Sequence, residues 1–187
     1  GIVMEVGFAV IINEMRGKWF KKIFQSFIFL PYFISWVIVG VMAFNIFSSD
    51  YGFLNRLIET FGGTPIKFYT TPKAWPFILV FFNVWKGIGY GSVMYLAAIM
   101  GIDTSIYEAA RIDGANVFQR IFKVTIPMIM PTTIILLLLS VGGIFKGNFD
   151  MFYNLVGSNG LLYNYTDVID TLTFRALISS NDFGMSA

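Results

Sequence analysis

The stretch from Ser105 to Pro131, SIYEAARIDGANVFQRIFKVTIPMIMP, decides how the rest of the chain is read. It is a polar, well-signalled segment between two long apolar runs. Ser105 followed three residues on by Glu108 has the spacing of a capping box, in which hydroxyl and carboxylate each satisfy an orphan N–H at a helix start. Gly114 is placed to end that short helix in the left-handed conformation. Asn116 with Gln119 repeats the start signal. Phe118, Ile121, Phe122 and Thr125 then follow at helical spacing and give a second helix one mostly apolar face. Pro127 ends or kinks it. The segment therefore predicts a helix, a tight turn and a second helix at the foot of a membrane span. Ala109 and Ala110 are small enough for another surface to come close, with Glu108, Arg111 and Asp113 as charged pegs beside them. Two readings stand at this point: a surface gripped by another protein, or an amphipathic pair lying on lipid.

The composition is that of a membrane protein, with 56% hydrophobic and only 13% charged residues. A net charge of +2, with no basic groove interleaved with stacking aromatics, argues against nucleic acid. The chain has no Cys and no His, which excludes thiol catalysis, disulfides, imidazole bases and the usual zinc sites, so no metal site is expected. No paired carboxylates or nucleophile motif points to an enzyme. Glu108 and Asp113 lie five apart on a helix that breaks at Gly114, so they do not converge.

The expected fold is all-α: a polytopic membrane helix bundle forming a single transmembrane domain over residues 1–187. Residues 2–12 are too short for the roughly 20 residues of a span and read as the end of one, so the chain is expected to be truncated there. Arg16, Lys18, Lys21 and Lys22 crowd the loop 13–22, which the positive-inside rule places in the cytoplasm; a patch for anionic membrane lipid is a compatible reading. Residues 23–47 carry no charge and form the next span, with Pro31 kinking or starting the helix and Gly40 allowing close helix approach. Residues 48–73 form an outer loop, with turns at Gly62-Gly63 and Pro65 and a short surface helix from Leu54 to Phe61. That loop is a landing place for a soluble partner or a plain connector.

Residues 75–99 form a span with one charge, Lys86, near its middle. A lysine there costs about 2.5–3.5 kcal/mol on insertion scales, so it faces the protein interior or a water-filled path, or is paired for structure. Gly87 and Gly91 have the small-xxx-small spacing of packed membrane helices. No strand precedes them and no Lys-Ser/Thr follows, so Gly87-x-Gly89 is not a nucleotide loop. Parity returns residues 103–126 to the inside, in agreement with Arg111, Arg120 and Lys123. Seven basic residues fall inside against five outside (Lys146 among them), so charge alone votes weakly. The span 127–145 follows, then an outer segment to Asp182 with a turn at Asn159-Gly160 and an amphipathic stretch from Asp167 to Ile178. Asn164-Tyr165-Thr166 matches a glycosylation sequon, a pattern too short to weigh. A last span is expected to start at about residue 183.

The order Glu108-Ala109-Ala110, Asp113-Gly114-Ala115, Phe118, Ile126-Pro127 closely resembles the coupling ("EAA") loop of the membrane subunits of bacterial binding-protein-dependent ABC importers. Asn13-Glu14, the run Leu30–Trp36, Trp85-Lys86-Gly87 and Tyr95-Leu96-Ala97-Ala98 resemble the carbohydrate-uptake branch, the permeases for oligosaccharides or complex polysaccharides with a MetI-like fold. The resemblance covers nearly the whole chain. It implies a permease subunit that pairs with a second, different permease subunit, is driven by two ATPase subunits and receives a carbohydrate from an extracellular or periplasmic solute-binding protein. It implies a multi-pass place in the bacterial inner membrane, with 13–22 and 103–126 cytoplasmic. It also implies spans before and after those present. ATP-Mg would bind the partner ATPase subunits, and this chain itself would hold no cofactor. Coupling would run through Glu108, Ala109, Ala110, Asp113 and Gly114. Asn83, Trp85, Lys86, Tyr90 and Tyr95, on the span with the intramembrane charge, are the candidates for the sugar path; packing or interface anchoring is the plainer reading for most of these aromatics. The competing function is a non-ATPase channel, carrier or scaffold that owns an interfacial helix pair.

Overall fold

The computed structural model describes residues 1–15, 17–143 and 147–179. Every regular element among them is helical. In chain order the α-helices are α1 (Ile2–Glu14), α2 (Lys18–Phe33), α3 (Trp36–Phe47), α4 (Phe53–Thr60), α5 (Trp75–Met100), α6 (Thr104–Ile112), α7 (Val117–Arg120), α8 (Ile126–Gly143), α9 (Phe149–Val156), α10 (Tyr163–Thr166) and α11 (Ile169–Ser179), with short 3-10 helices at Phe68–Thr70 and Pro72–Ala74 leading into α5. A π-helical segment, Ile121–Thr125, joins α7 to α8. The expected start of a last span, Arg16 and Lys146 lie outside the described residues.

The chain divides into two compact units, each formed by two separate stretches. The first holds the residues up to Phe33 together with those from Val84 to the end of α8. Its core gathers Ala9, Val10 and Ile12 of α1, Tyr95, Leu96 and Ile99 of α5, Ile102, and Ile129 of α8. Tyr107 of α6 and Ile121 of the π segment pack against that core. Glycine brings α5 onto α2: a Cβ at Gly89 would stand 2.2 Å from the Ile28 carbonyl oxygen, and one at Gly91 would meet the Glu5 carboxylate at 2.2 Å. Gly87, which the spacing singled out, has nothing within 4 Å. The close approach thus falls on Gly89 and Gly91, because only that side of α5 faces its neighbours within the unit.

The second unit holds α3, α4, the start of α5, and α9 to α11. A Cβ on Gly40 would lie 2.4 Å from the Asn154 carbonyl oxygen, so α3 and α9 touch backbone to backbone as the glycine in the apolar run suggested. Asn55 is buried at the base of α4. Its amide donates to the Ser48 carbonyl at 3.1 Å and to the Ile66 carbonyl at 2.9 Å, and its oxygen accepts from the Ile66 N–H at 2.8 Å. One side chain thereby fixes both ends of the loop containing α4, close to the short helix expected there. Trp75 is fully buried and its indole N–H donates to the Phe68 carbonyl at 3.0 Å.

Three expectations are refined. The apolar run 23–47 is carried by two helices, because α2 runs through Pro31 to Phe33 and α3 restarts at Trp36, where the Ser35 hydroxyl accepts from the Ile38 N–H at 3.4 Å. Pro31 has no N–H to continue the ladder, and Ser35 offers the next segment a cap. Most of the basic loop 13–22 is helical: Asn13 and Glu14 belong to α1, and Lys18, Lys21 and Lys22 to α2, which Gly17 precedes at φ +94. Of the two outcomes open at Pro127, an end or a kink, the helix does not end there. The proline ring conflicts with the carbonyl four residues back, and the widened π turn just before it lets Val117–Gly143 continue as one span of mean hydropathy 2.2. Among the described residues the other helix long and apolar enough to span alone is Pro72–Met100, near the expected 75–99.

Candidate functional site

The helix pair is built by local chemistry. Asp103, not Ser105, caps α6: its carboxylate accepts from the Ser105 N–H at 2.9 Å, and hydrogen bonds from Ser105 hold this carboxyl below its ordinary value. The Ser105–Glu108 capping box is not formed, because α6 starts one residue before Ser105, which puts Ser105 inside the first turn and leaves Glu108 exposed. At the other end, the Gly114 N–H donates to the Arg111 carbonyl at 3.0 Å and the Ala115 N–H to the Ala110 carbonyl at 2.9 Å, with Gly114 at φ +76. This is a Schellman close, which requires the left-handed residue that Gly114 supplies. Asn116 and Gln119 then form a complete capping box at 2.8 and 2.9 Å, as their spacing indicated.

Exposure sorts the residues of the pair. Glu108, Ala109, Asp113 and Gly114 are exposed, and Ala110 is half-buried. Ile112, Phe118 and Phe122 stand out at 86%, 73% and 65% exposure, a run of large apolar groups beside the acidic ones. The apolar face expected of the second helix is therefore split. Ile121 and Thr125 turn inward, while Phe118 and Phe122 turn out. Behind the pair lies an open groove of about 730 Å³, lined by Asn13, Glu14, Lys21, Tyr107, Glu108, Arg111 and Arg120 among others. Arg120 pairs with Glu14 at 3.7 Å across it.

The five candidates on α5 do not converge. Lys86 donates to the Tyr32 carbonyl at 2.7 Å and the Pro31 carbonyl at 3.5 Å. Those oxygens belong to the last turn of α2, where helix carbonyls lack N–H partners and the dipole favours a cation. Tyr90 stacks on Tyr32 with ring centroids 4.9 Å apart. Trp85 is half-buried, Asn83 is exposed in the other unit, and Tyr95 is wholly enclosed in the core of its own unit. Lys86 and Tyr90 are thus brought together through Tyr32, which the sequence reading did not single out. Glu5, the acid within the apolar run 2–12, sits against Gly91.

All-helical architecture among the described residues, with helices long and apolar enough to span a bilayer and an exposed, charged helix–turn–helix between them, defines a polytopic membrane protein. Residues 5–181 match the family described as binding-protein-dependent transport system inner membrane component, and the chain belongs to that family. It is 34% identical to the protein LplB of Bacillus subtilis over 95% of this chain and 55% of that one. It is 33% identical, with the same coverage, to the polygalacturonan/rhamnogalacturonan transport system permease protein YteP of the same organism. Its fold matches that of a bacterial alginate ABC transporter crystallised with an alginate pentasaccharide-bound periplasmic protein, at TM-score 0.92 and 33% identity, over all of this chain and 64% of the other. The chain spans about half the length of the curated relatives it matches. The MetI-like helical permease fold read from the sequence is the fold observed.

Proposed function

We propose that this chain is a permease subunit of an ATP-driven importer for an oligosaccharide or a related carbohydrate. It lines the path with a second permease subunit, takes solute from a binding protein outside, and couples to ATPase subunits inside. The observation that carries the reading is the exposed pair α6–α7 in a member of this transport family: Glu108, Ala109, Asp113 and Gly114 face outward beside Ile112 and Phe118, ready to enter a partner's groove. Carbohydrate is supported by the printed specificities of relatives, which include polygalacturonan/rhamnogalacturonan, arabinooligosaccharides and lactose. ATP-Mg is held by the ATPase partners. Within this chain the ATPase step acts mechanically, shifting a helix bundle between inward- and outward-facing states.

The test is co-purification of the full-length permease with its ATPase subunit, followed by uptake. Glu108→Ala or Gly114→Ala should leave the subunit inserted and uncouple transport. Normal uptake and normal ATPase binding in both variants would remove α6–α7 from the mechanism. For the path, Lys86→Met should reduce uptake if its ammonium also meets solute, whereas unchanged uptake would leave it a cap for α2 alone.

A further inference from the structure

Of the nine residues of α6, only Tyr107 and Ala110 turn inward, and Tyr107 reaches the core of its unit. Its hydroxyl lies 2.9 Å from the hydroxyl of Thr125, the last residue of the π segment, whose side chain is 1% exposed. The Thr125 oxygen is also 3.5 Å from the Arg120 carbonyl five residues back, the acceptor that a π turn leaves within reach. A threonine hydroxyl has one proton, so the chain of bonds runs from Tyr107 to Thr125 to the Arg120 carbonyl. The Arg120 guanidinium continues to Glu14 at the foot of α1. A docking helix, a π turn and the end of another helix are thus joined by consecutive polar contacts. π turns interrupt the ordinary ladder and are found at functional sites, and this one precedes a proline that cannot support an ordinary turn.

We infer that Tyr107 is the positioning residue through which displacement of α6 is passed to the π segment and so to α8. The inference rests on the proposed ATPase-coupling role of α6. Glu108, Ala109, Asp113 and Gly114 face outward to be gripped, while Tyr107 faces inward and ties the gripped helix to the span. Without that tie, α6 is held by its covalent ends and by apolar contact, which lets it move while the span lags.

The experiment uses the complete transporter with its ATPase subunits and follows amide hydrogen exchange in this chain with and without ATP and vanadate. In wild type, exchange should change in both α6 (104–112) and the π segment (121–125). In Tyr107→Phe, which keeps the ring, the α6 response should persist and the 121–125 response should shrink roughly two- to ten-fold, the range of one hydrogen bond. Thr125→Val should do the same, Thr125→Ser should restore the wild-type response, and the double variant should be no worse than either single one. A full 121–125 response in Tyr107→Phe overturns the inference. So does a loss shared equally with distant α9, because that reports general loosening. A wild-type complex that couples but shows no response at 121–125 also overturns it, leaving the importer reading intact; a wild-type preparation that holds no ATPase overturns both.

Discussion

At Gly114 the backbone turns at φ +76 and an added Cβ would meet nothing within 4 Å, whereas at Gly40 it would stand 2.4 Å from the Asn154 carbonyl oxygen. Alanine at Gly114 is therefore penalised only by the left-handed backbone, about 1 kcal/mol. Alanine at Gly40 must push α9 off α3, and no rotamer relieves a clash with backbone, so overpacking of about 1–3 kcal/mol is expected. Thermal unfolding of the purified subunit should show the larger fall in Tm for Gly40→Ala. Asp167 gives a second prediction. Burial pushes its carboxyl up, but hydrogen bonds from Arg175 and Thr171 and the Arg175 charge outweigh burial and hold it below its ordinary 3.8. Because the folded value lies below the unfolded one, the contribution is full above pH 3.8 and is lost as pH falls through the folded value. Asp167→Asn should remove that acid-side dependence. The pair is partly solvated, so the effect should stay near or below about 1 kcal/mol in a pH series of unfolding midpoints.

Helix ends set the elements. Ser105 looks like the cap of α6 and Asp103 is the cap, because both residue types accept N–H bonds and only backbone geometry decides which one sits at the non-helical position. Asp103→Ala should speed amide exchange in the first turn of α6, while Ser105→Ala should leave it nearly unchanged. The reverse order would restore the capping box that the spacing suggested. At α7 the box is formed as spaced, because Gly114 places Asn116 directly after the turn. Pro127 teaches the same lesson from the other side: a proline that could end or kink a helix is accommodated by five π-helical residues before it.

For the whole molecule, membrane orientation is the property with the clearest test. The chain has no cysteine, so a single introduced one is a unique probe. Ile112→Cys in the docking pair is expected to react with a membrane-impermeant maleimide only after cells are opened, and Phe61→Cys in the loop after α4 in intact cells; both native side chains are more than 80% exposed. The opposite pattern would invert the topology and with it the coupling role of α6–α7.

The sequence determined that this is a helical membrane protein and where its exposed helix–turn–helix lies. Apolar run length, charge placement and the order from Glu108 to Pro127 are one-dimensional signals that bilayer thickness and backbone capping impose directly. It also held the left-handed turn at Gly114, because only glycine takes that conformation cheaply. Only the tertiary structure decided that Lys86 caps the end of α2, that Tyr95 is enclosed, that Gly89 and not Gly87 makes the close approach, and that Tyr107 meets Thr125. Each of these depends on which face of a helix meets a neighbour far away in the chain, and helical spacing groups residues on a face without saying what that face will touch.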